Sequence, residues 1–151
     1  MVCVLWLTVY AINSTTQERK NPMDSARKTA YHISLPVRVY SNANLREHWA
    51  VRATRARQQH RVVAVEMQAT CPSSVRSHQG RLAIHLCRVG KRMMDDDNLA
   101  GGFKAIRDKV AAQLGRDDGP NSGITWVYSQ RSGNGEYAAE ITIEVDDVIN
   151  E

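Results

Sequence analysis

From residue 31 onward, apolar and polar positions follow two different periods, and the switches between them mark out the elements. Tyr31 to Tyr40 (YHISLPVRVY) places Ile33, Leu35, Val37 and Val39 on one face and polar groups on the other, which predicts a half-buried strand. Pro36 within it has no ladder donor, so an edge position is expected. The next stretch, SNANLREHWAVRATRARQQHRVVAVEMQAT, predicts a helix running to about Ala69 with Ser41, Asn42 or Asn44 as its cap. Leu45, Trp49, Ala53, Ala56, Val63 and Met67 recur there at roughly helical spacing. Arg46, Arg52, Arg55, Arg57 and Arg61 spread over much of the remaining surface, so this helix reads as a charged outer layer.

A loop with Pro72, Ser73, Ser74 and Gly80 follows. Arg81 to Val89 (RLAIHLCRV) sets Leu82, Ile84, Leu86 and Arg88 against Ala83, His85, Cys87 and Val89, the pattern of a central strand with both faces partly buried. From Leu99 to about Leu114, Phe103, Ile106, Val110 and Leu114 form the stripe of an amphipathic helix that Gly115 can close. ITWVYSQ and EYAAEITIEV then read as two strands joined through Ser132, Gly133, Asn134 and Gly135, where Asn-Gly predicts a hairpin. The order β, α, β, α, β, β implies an α+β or mixed α/β fold, a small mixed sheet covered on one side by two helices.

A chain of 151 residues with 42% hydrophobic and 24% charged positions suits one ordinary globular domain, here residues 31–147. Residues 1–30 are expected to be a flexible extension, with Met23 as an alternative start. The run Val2 to Ile12 is shorter than the roughly 20 apolar residues a membrane span needs, and it lacks a basic n-region. Cys3, Cys71 and Cys87 are odd in number and far apart, against a disulfide framework or a zinc site and in keeping with a reducing cytoplasm. Charge is unevenly placed. Between Arg38 and Arg92 eleven Lys or Arg face only Glu47 and Glu66, a net +9, which leaves −5 on the rest of a +4 chain. Clustered arginine of this kind draws polyanions, although a solvated basic face is the simpler account.

The negative charge concentrates at Met93 to Lys104, MMDDDNLAGGFK. In an extended strand end, Asp95 and Asp97 would project to the same side, with Asp96 facing away. Held together, two carboxylates repel unless a cation intervenes, and Mg²⁺ or Mn²⁺ takes such hard oxygen ligands while keeping waters and phosphate oxygens. Asp117 and Asp118 form a second pair. A helix of about 16 residues would carry them some 24 Å away, so a shared site requires the chain to fold back or the helix to be shorter. Taken alone, Asp95 to Asn98 is most simply an N-cap with dipole-stabilising acids, and Asp117-Asp118-Gly119-Pro120 a turn. The calcium-loop spacing of an EF-hand is absent.

Taken together, RMMDDDNLAGGFKAIRD and the LGRDD that follows resemble the RusA-type crossover junction endodeoxyribonucleases, phage and prophage enzymes that resolve Holliday junctions. The likeness extends over about Tyr31 to Val145 and rests mainly on Arg92 to Asp118. It implies a homodimeric α/β protein, a Mg²⁺ (or Mn²⁺) cofactor and four-way DNA as substrate. It further implies that Asp95, Asp97 and Asp118 are the metal-binding and catalytic acids and that Asn98 is the motif asparagine. The family's catalytic lysine falls at Gly101 here. Lys104, seven residues after Asp97, returns to the same helix face and would lean back toward the acids as a substitute. Gly101 and Gly102 would admit a DNA backbone.

On this reading Arg46, Arg52, Arg55, Arg57, Arg61 and Arg92 grip backbone phosphates of branched DNA, with little sequence preference and no nucleotide cofactor. His48 and His60 are expected in surface or packing roles, Trp49 in the core, and His85 as a satisfied core histidine. The alternatives are a non-catalytic phage DNA-binding protein, or a metal nuclease acting on flaps or single strands. An RNA-binding module is disfavoured by the lack of an aromatic RNP-like pattern.

Overall fold

The computed structural model describes residues 28–41 and 46–146. Most of the expected N-terminal extension, the cap candidates Asn42 and Asn44, and Leu45 lie outside the described residues. The elements are β1 (Lys28–Leu35), α1 (Trp49–Thr70), α2 (Ser73–Arg76), β2 (Leu82–Gly90), α3 (Asp96–Gly102), α4 (Lys104–Gln113), β3 (Ile124–Ser132) and β4 (Ala138–Asp146). They form a mixed α+β fold around one four-stranded sheet of order β1-β4-β2-β3. β2 pairs in parallel with β3 and antiparallel with β4, and β1 pairs antiparallel with β4.

β1 is an edge strand, as expected, but it stops at Leu35, before Pro36, and does not run on to Tyr40 with the proline inside it. Val37 and Val39 nevertheless stay buried in the extended stretch beyond it. Alternation then decides which face is covered. Ile33 and Leu35, Leu82, Ile84 and Leu86, and Ile141 and Ile143 point inward, where Val63 and Met67 of α1 and Ile106 and Val110 of α4 meet them. Each such side chain contributes about 1.5–3 kcal/mol by leaving water. The opposite face carries His32, Ser34, His85 and Glu144, none of them buried.

Three expectations are corrected. α1 begins at Trp49 with His48 as its cap, the ring Nδ1 accepting from the Ala50 N–H at 3.3 Å, so Ser41 does not cap it. The expected β3–β4 hairpin does not form, because β2 lies between the two strands. Asn-Gly marks a turn but names no partner. Every inward position of β4 is apolar and buried, from Ala139 to Val145, and suits a strand flanked on both sides, whereas β3 offers the half-buried Trp126, Tyr128 and Gln130. Residues 133–137 therefore arch over the end of β2, and the Gly133 N–H donates to the Gly90 carbonyl at 3.1 Å.

Third, the single helix expected from Leu99 to Leu114 is two. α3 and α4 meet at Phe103, whose fully buried ring packs against Tyr128. Gly102 is required at this joint, since a Cβ there would stand 2.6 Å from the Tyr40 carbonyl oxygen. The glycine thus admits the protein's own backbone rather than that of DNA. A Cβ on Gly101 would meet nothing within 4 Å. Gly102→Ala is expected to lower stability by about 1–3 kcal/mol. Gly101→Ala is expected to raise it by up to about 1 kcal/mol through helix propensity. Urea unfolding midpoints of the two variants check the contrast.

Candidate active site

The chain leaves β2 at Gly90 and reaches the acidic turn at Asp95, five residues later. Gln130 of β3 fixes this passage: its side-chain carbonyl accepts from the Met94 N–H at 2.8 Å, and its amide donates to the Met94 carbonyl at 2.6 Å. Asp95 follows at the N-cap position of α3 with extended backbone (φ −67, ψ 152), yet its side chain makes no cap bond. Asp96 and Asp97 occupy the first helical turn, so the strand-like projection expected of Asp95 and Asp97 does not hold. All three are exposed, and among the described residues none of their carboxylates meets a hydrogen-bond or ion-pair partner. The helix dipole favours them there, but simple capping does not account for Asp95. Asn98 is tethered, its side-chain oxygen accepting from the Ser41 hydroxyl at 2.9 Å.

The second acidic pair returns to the same strand. Gly115 turns the chain with φ +66, and Arg107 of α4 donates to Asp118 at 2.8 Å and to the Tyr128 hydroxyl at 3.3 Å. Asp117 accepts from the Asp118 N–H at 2.8 Å, forming the local turn. Tyr128 and Gln130 are two residues apart on one face of β3, roughly 6.8 Å along the strand. β3 is therefore the common support of both acidic segments. The Arg107 hydrogen bond and charge hold the Asp118 carboxyl below the ordinary carboxylate range, with smaller contributions from Asp108 and Asp117.

Among the described residues, no three His, Cys, Asp or Glu side chains gather into a group that could hold a metal ion. Asp95, Asp97 and Asp118 are thus not assembled within one chain as a three-donor site. Mg²⁺ asks for less than three protein donors, since it binds through one or two carboxylates plus water and phosphate. Lys104 does not lean back toward Asp97. Its ammonium pairs at 3.0 Å with Asp108, one turn toward the C-terminus, in a groove between α1 and α4 that Arg52 and His60 also line.

The arginines do not make one face. Arg57 and Arg61 stand opposite the buried stripe of Gln59, Val63 and Met67 and are exposed. Arg52 and Arg55 turn toward α4, where Arg55 pairs with Glu47 and lies 4.2 Å over the Tyr40 ring. Arg46 and Arg92 are exposed. Trp49, expected in the core, is 74% exposed beside His48, and His60 is half-buried. His85, expected as a core histidine, is half-exposed on the open sheet face, 3.5 Å from Glu144. Sequence reasoning missed Arg107, Tyr128 and Gln130. A Gln at an inward strand position, which must find a partner when it is covered, was the available signal.

No protein-family model and no curated protein matches the chain. In fold it is similar to a helical model of the TubZ-Bt four-stranded filament, at 10% identity and a TM-score of 0.43 over 79% of this chain. It is also similar to the FtsZ W319Y mutant of M. jannaschii, at 12% identity and 0.39 over 80% of this chain. The chain spans about a quarter of either protein, 24% and 28% respectively. Among the described residues no helix is long and apolar enough to cross a membrane.

A carboxyl held low contributes stability that is present above the unfolded value of about 3.9 and is lost as pH falls through the lower folded value. Arg107→Leu should bring the Asp118 titration, followed by carboxyl NMR, back up toward that value. Asp118→Asn should remove part of the loss of stability seen in acid unfolding below about pH 4.

Proposed function

We propose that this chain is a metal-dependent endodeoxyribonuclease that cleaves branched DNA, with the four-way junction as its substrate. One observation carries the reading. Asp95 sits where a helix cap belongs and does not cap, so with Asp97 it leaves two hard oxygen donors uncommitted on a turn that Gln130 holds in place. A Mg²⁺ or Mn²⁺ ion bound there would supply an acidified water and a polarised phosphoryl oxygen.

The chain's own residues do the rest. Asp95 and Asp97 hold the ion. Arg57 and Arg61, exposed on the outer face of α1, and Arg52 beside α4 hold backbone phosphates without reading sequence. Asp118 could join the donor set only if its bond to Arg107 were exchanged, and a DNA phosphate would be a natural competitor for that guanidinium. Lys104, with a side chain 64% exposed, could trade Asp108 for a phosphate in the same way. Paired cuts across a junction need two sites, so the working unit is a two-fold dimer.

A second reading, a DNA-binding protein without turnover, is favoured by the commitment of Asp118 to Arg107 and by the lack of a three-donor group among the described residues. Cleavage of a labelled four-way junction separates the two. The expected result is cutting that requires Mg²⁺, exceeds cutting of a flap, and falls by about 100-fold or more in a folded Asp97→Asn variant, the scale of losing one charge-stabilising group. Tight binding with no cutting, indifferent to Mg²⁺, would establish the binding protein instead.

A further inference from the structure

Along the inward face of β2, Leu82, Ile84 and Leu86 are followed by Arg88, which is only 4% exposed. A guanidinium in that position is costly unless its charge and its five N–H donors are met. Two carbonyls take part of the load: Nε donates to Val39 at 3.4 Å and Nη1 to Arg92 at 2.6 Å. Among the described residues Nη2 has no acceptor and no carboxylate pairs with the group.

What surrounds Arg88 is more positive charge. It forms the floor of a cleft of about 310 Å³ whose other walls are Arg38, Lys91, Arg92 and Tyr137. The Arg38 guanidinium is held over the rings of Tyr137 at 4.2 Å and Tyr40 at 4.8 Å, which fixes its position without neutralising it. Burial and the nearby Arg38 both push the Arg88 guanidinium below its ordinary value, the mark of a cation that lacks its counter-ion. The cleft lies at the carboxyl end of β2, with Tyr137 just ahead of β4 as one wall.

The geometry points to a phosphate-binding site in this cleft, Arg88 at its base and Arg38, Lys91 and Arg92 around it, that takes a backbone phosphate of the nucleic acid. Asp95 is three residues beyond Arg92, no more than about 10 Å along even an extended chain, so a strand anchored here passes the acidic turn. That the phosphate belongs to DNA rests on the function proposed above; the anion site itself does not.

The test compares the full-length protein with a Lys91→Ala, Arg92→Ala double variant, in which both altered side chains are exposed and Arg88 is retained. Thermal unfolding is followed in inorganic phosphate and in chloride of equal ionic strength. Binding of a four-way junction is measured in EDTA, so that failure to cleave has no bearing on the outcome. The expected result is a phosphate-induced rise in midpoint for the wild type that the variant loses, with junction affinity lowered about tenfold. The slope of log affinity against log salt should flatten by about 0.9 for each DNA phosphate that the variant no longer neutralises. Arg88→Lys, which keeps the charge but not the planar fork, should give an intermediate phosphate response. Equal phosphate responses in wild type and double variant overturn the site. A lost phosphate response with unchanged junction binding overturns its assignment to DNA.

Discussion

Strand β2 is paired along its length on both edges, with β3 on one side and β4 on the other, and the rest of the molecule is arranged around that double pairing. The parallel neighbour obliges the chain to cross over through α3 and α4, so the acidic turn directly follows the end of β2. The antiparallel neighbour obliges residues 133–137 to arch across Gly90 and bring Tyr137 beside Arg38 and Arg88. Both concentrations of charge lie where they do because one strand is shared. The open face of the sheet, with His85 against Glu144, carries no comparable concentration.

Charge is distributed with a consistent logic. Arg55 with Glu47, Lys104 with Asp108, Arg107 with Asp118 and Arg131 with Glu140 all pair across the surface. Between residues 88 and 97 the charges stay apart instead: Arg88, Lys91 and Arg92 on one side of Met94, Asp95 to Asp97 on the other, with no ion pair joining them. Long flexible side chains so close in sequence would neutralise one another if the backbone allowed it. The two hydrogen bonds exchanged between Gln130 and Met94 fix the backbone between the two sets. Each set retains its capacity for an external ligand of opposite charge.

Much of this was legible from residue spacing, and the rest depended on partners far away in the chain. Ile33 and Leu35, Leu82 to Leu86, and Ile141 and Ile143 declare their inward faces by alternation alone, and Val63 with Met67 by helical period. The break at Phe103 was hidden because its cause is nonlocal: Gly102 lies under the Tyr40 carbonyl, which no pattern within the helix records. The β3–β4 hairpin was inferred from a turn signal that is silent about partners. The settings of Gln130 and Arg88 are hidden for a similar reason, since Gln130 bonds to Met94, 36 residues away, and one of the two acceptors of Arg88 is Val39, 49 residues away. Asp95 is ambiguous in a different way: a capping carboxylate and an uncommitted one look alike in sequence, and only the missing cap bond tells them apart.

The ion pair between Arg107 and Asp118 bears most directly on what the acidic residues do. Both side chains are partly exposed, and exposed pairs contribute little net stability because water competes for each partner. Exchange of Asp118 for a phosphate on Arg107 therefore costs the fold little, while the Tyr128 hydroxyl keeps the guanidinium in place. The freed carboxylate would then stand on a short turn supported by the same strand that supports Met94. A resting arrangement in which Asp118 is paired is thus compatible with a loaded one in which it is a ligand. On the proposed function, a DNA phosphate that displaced Asp118 from Arg107 would shift one to the other.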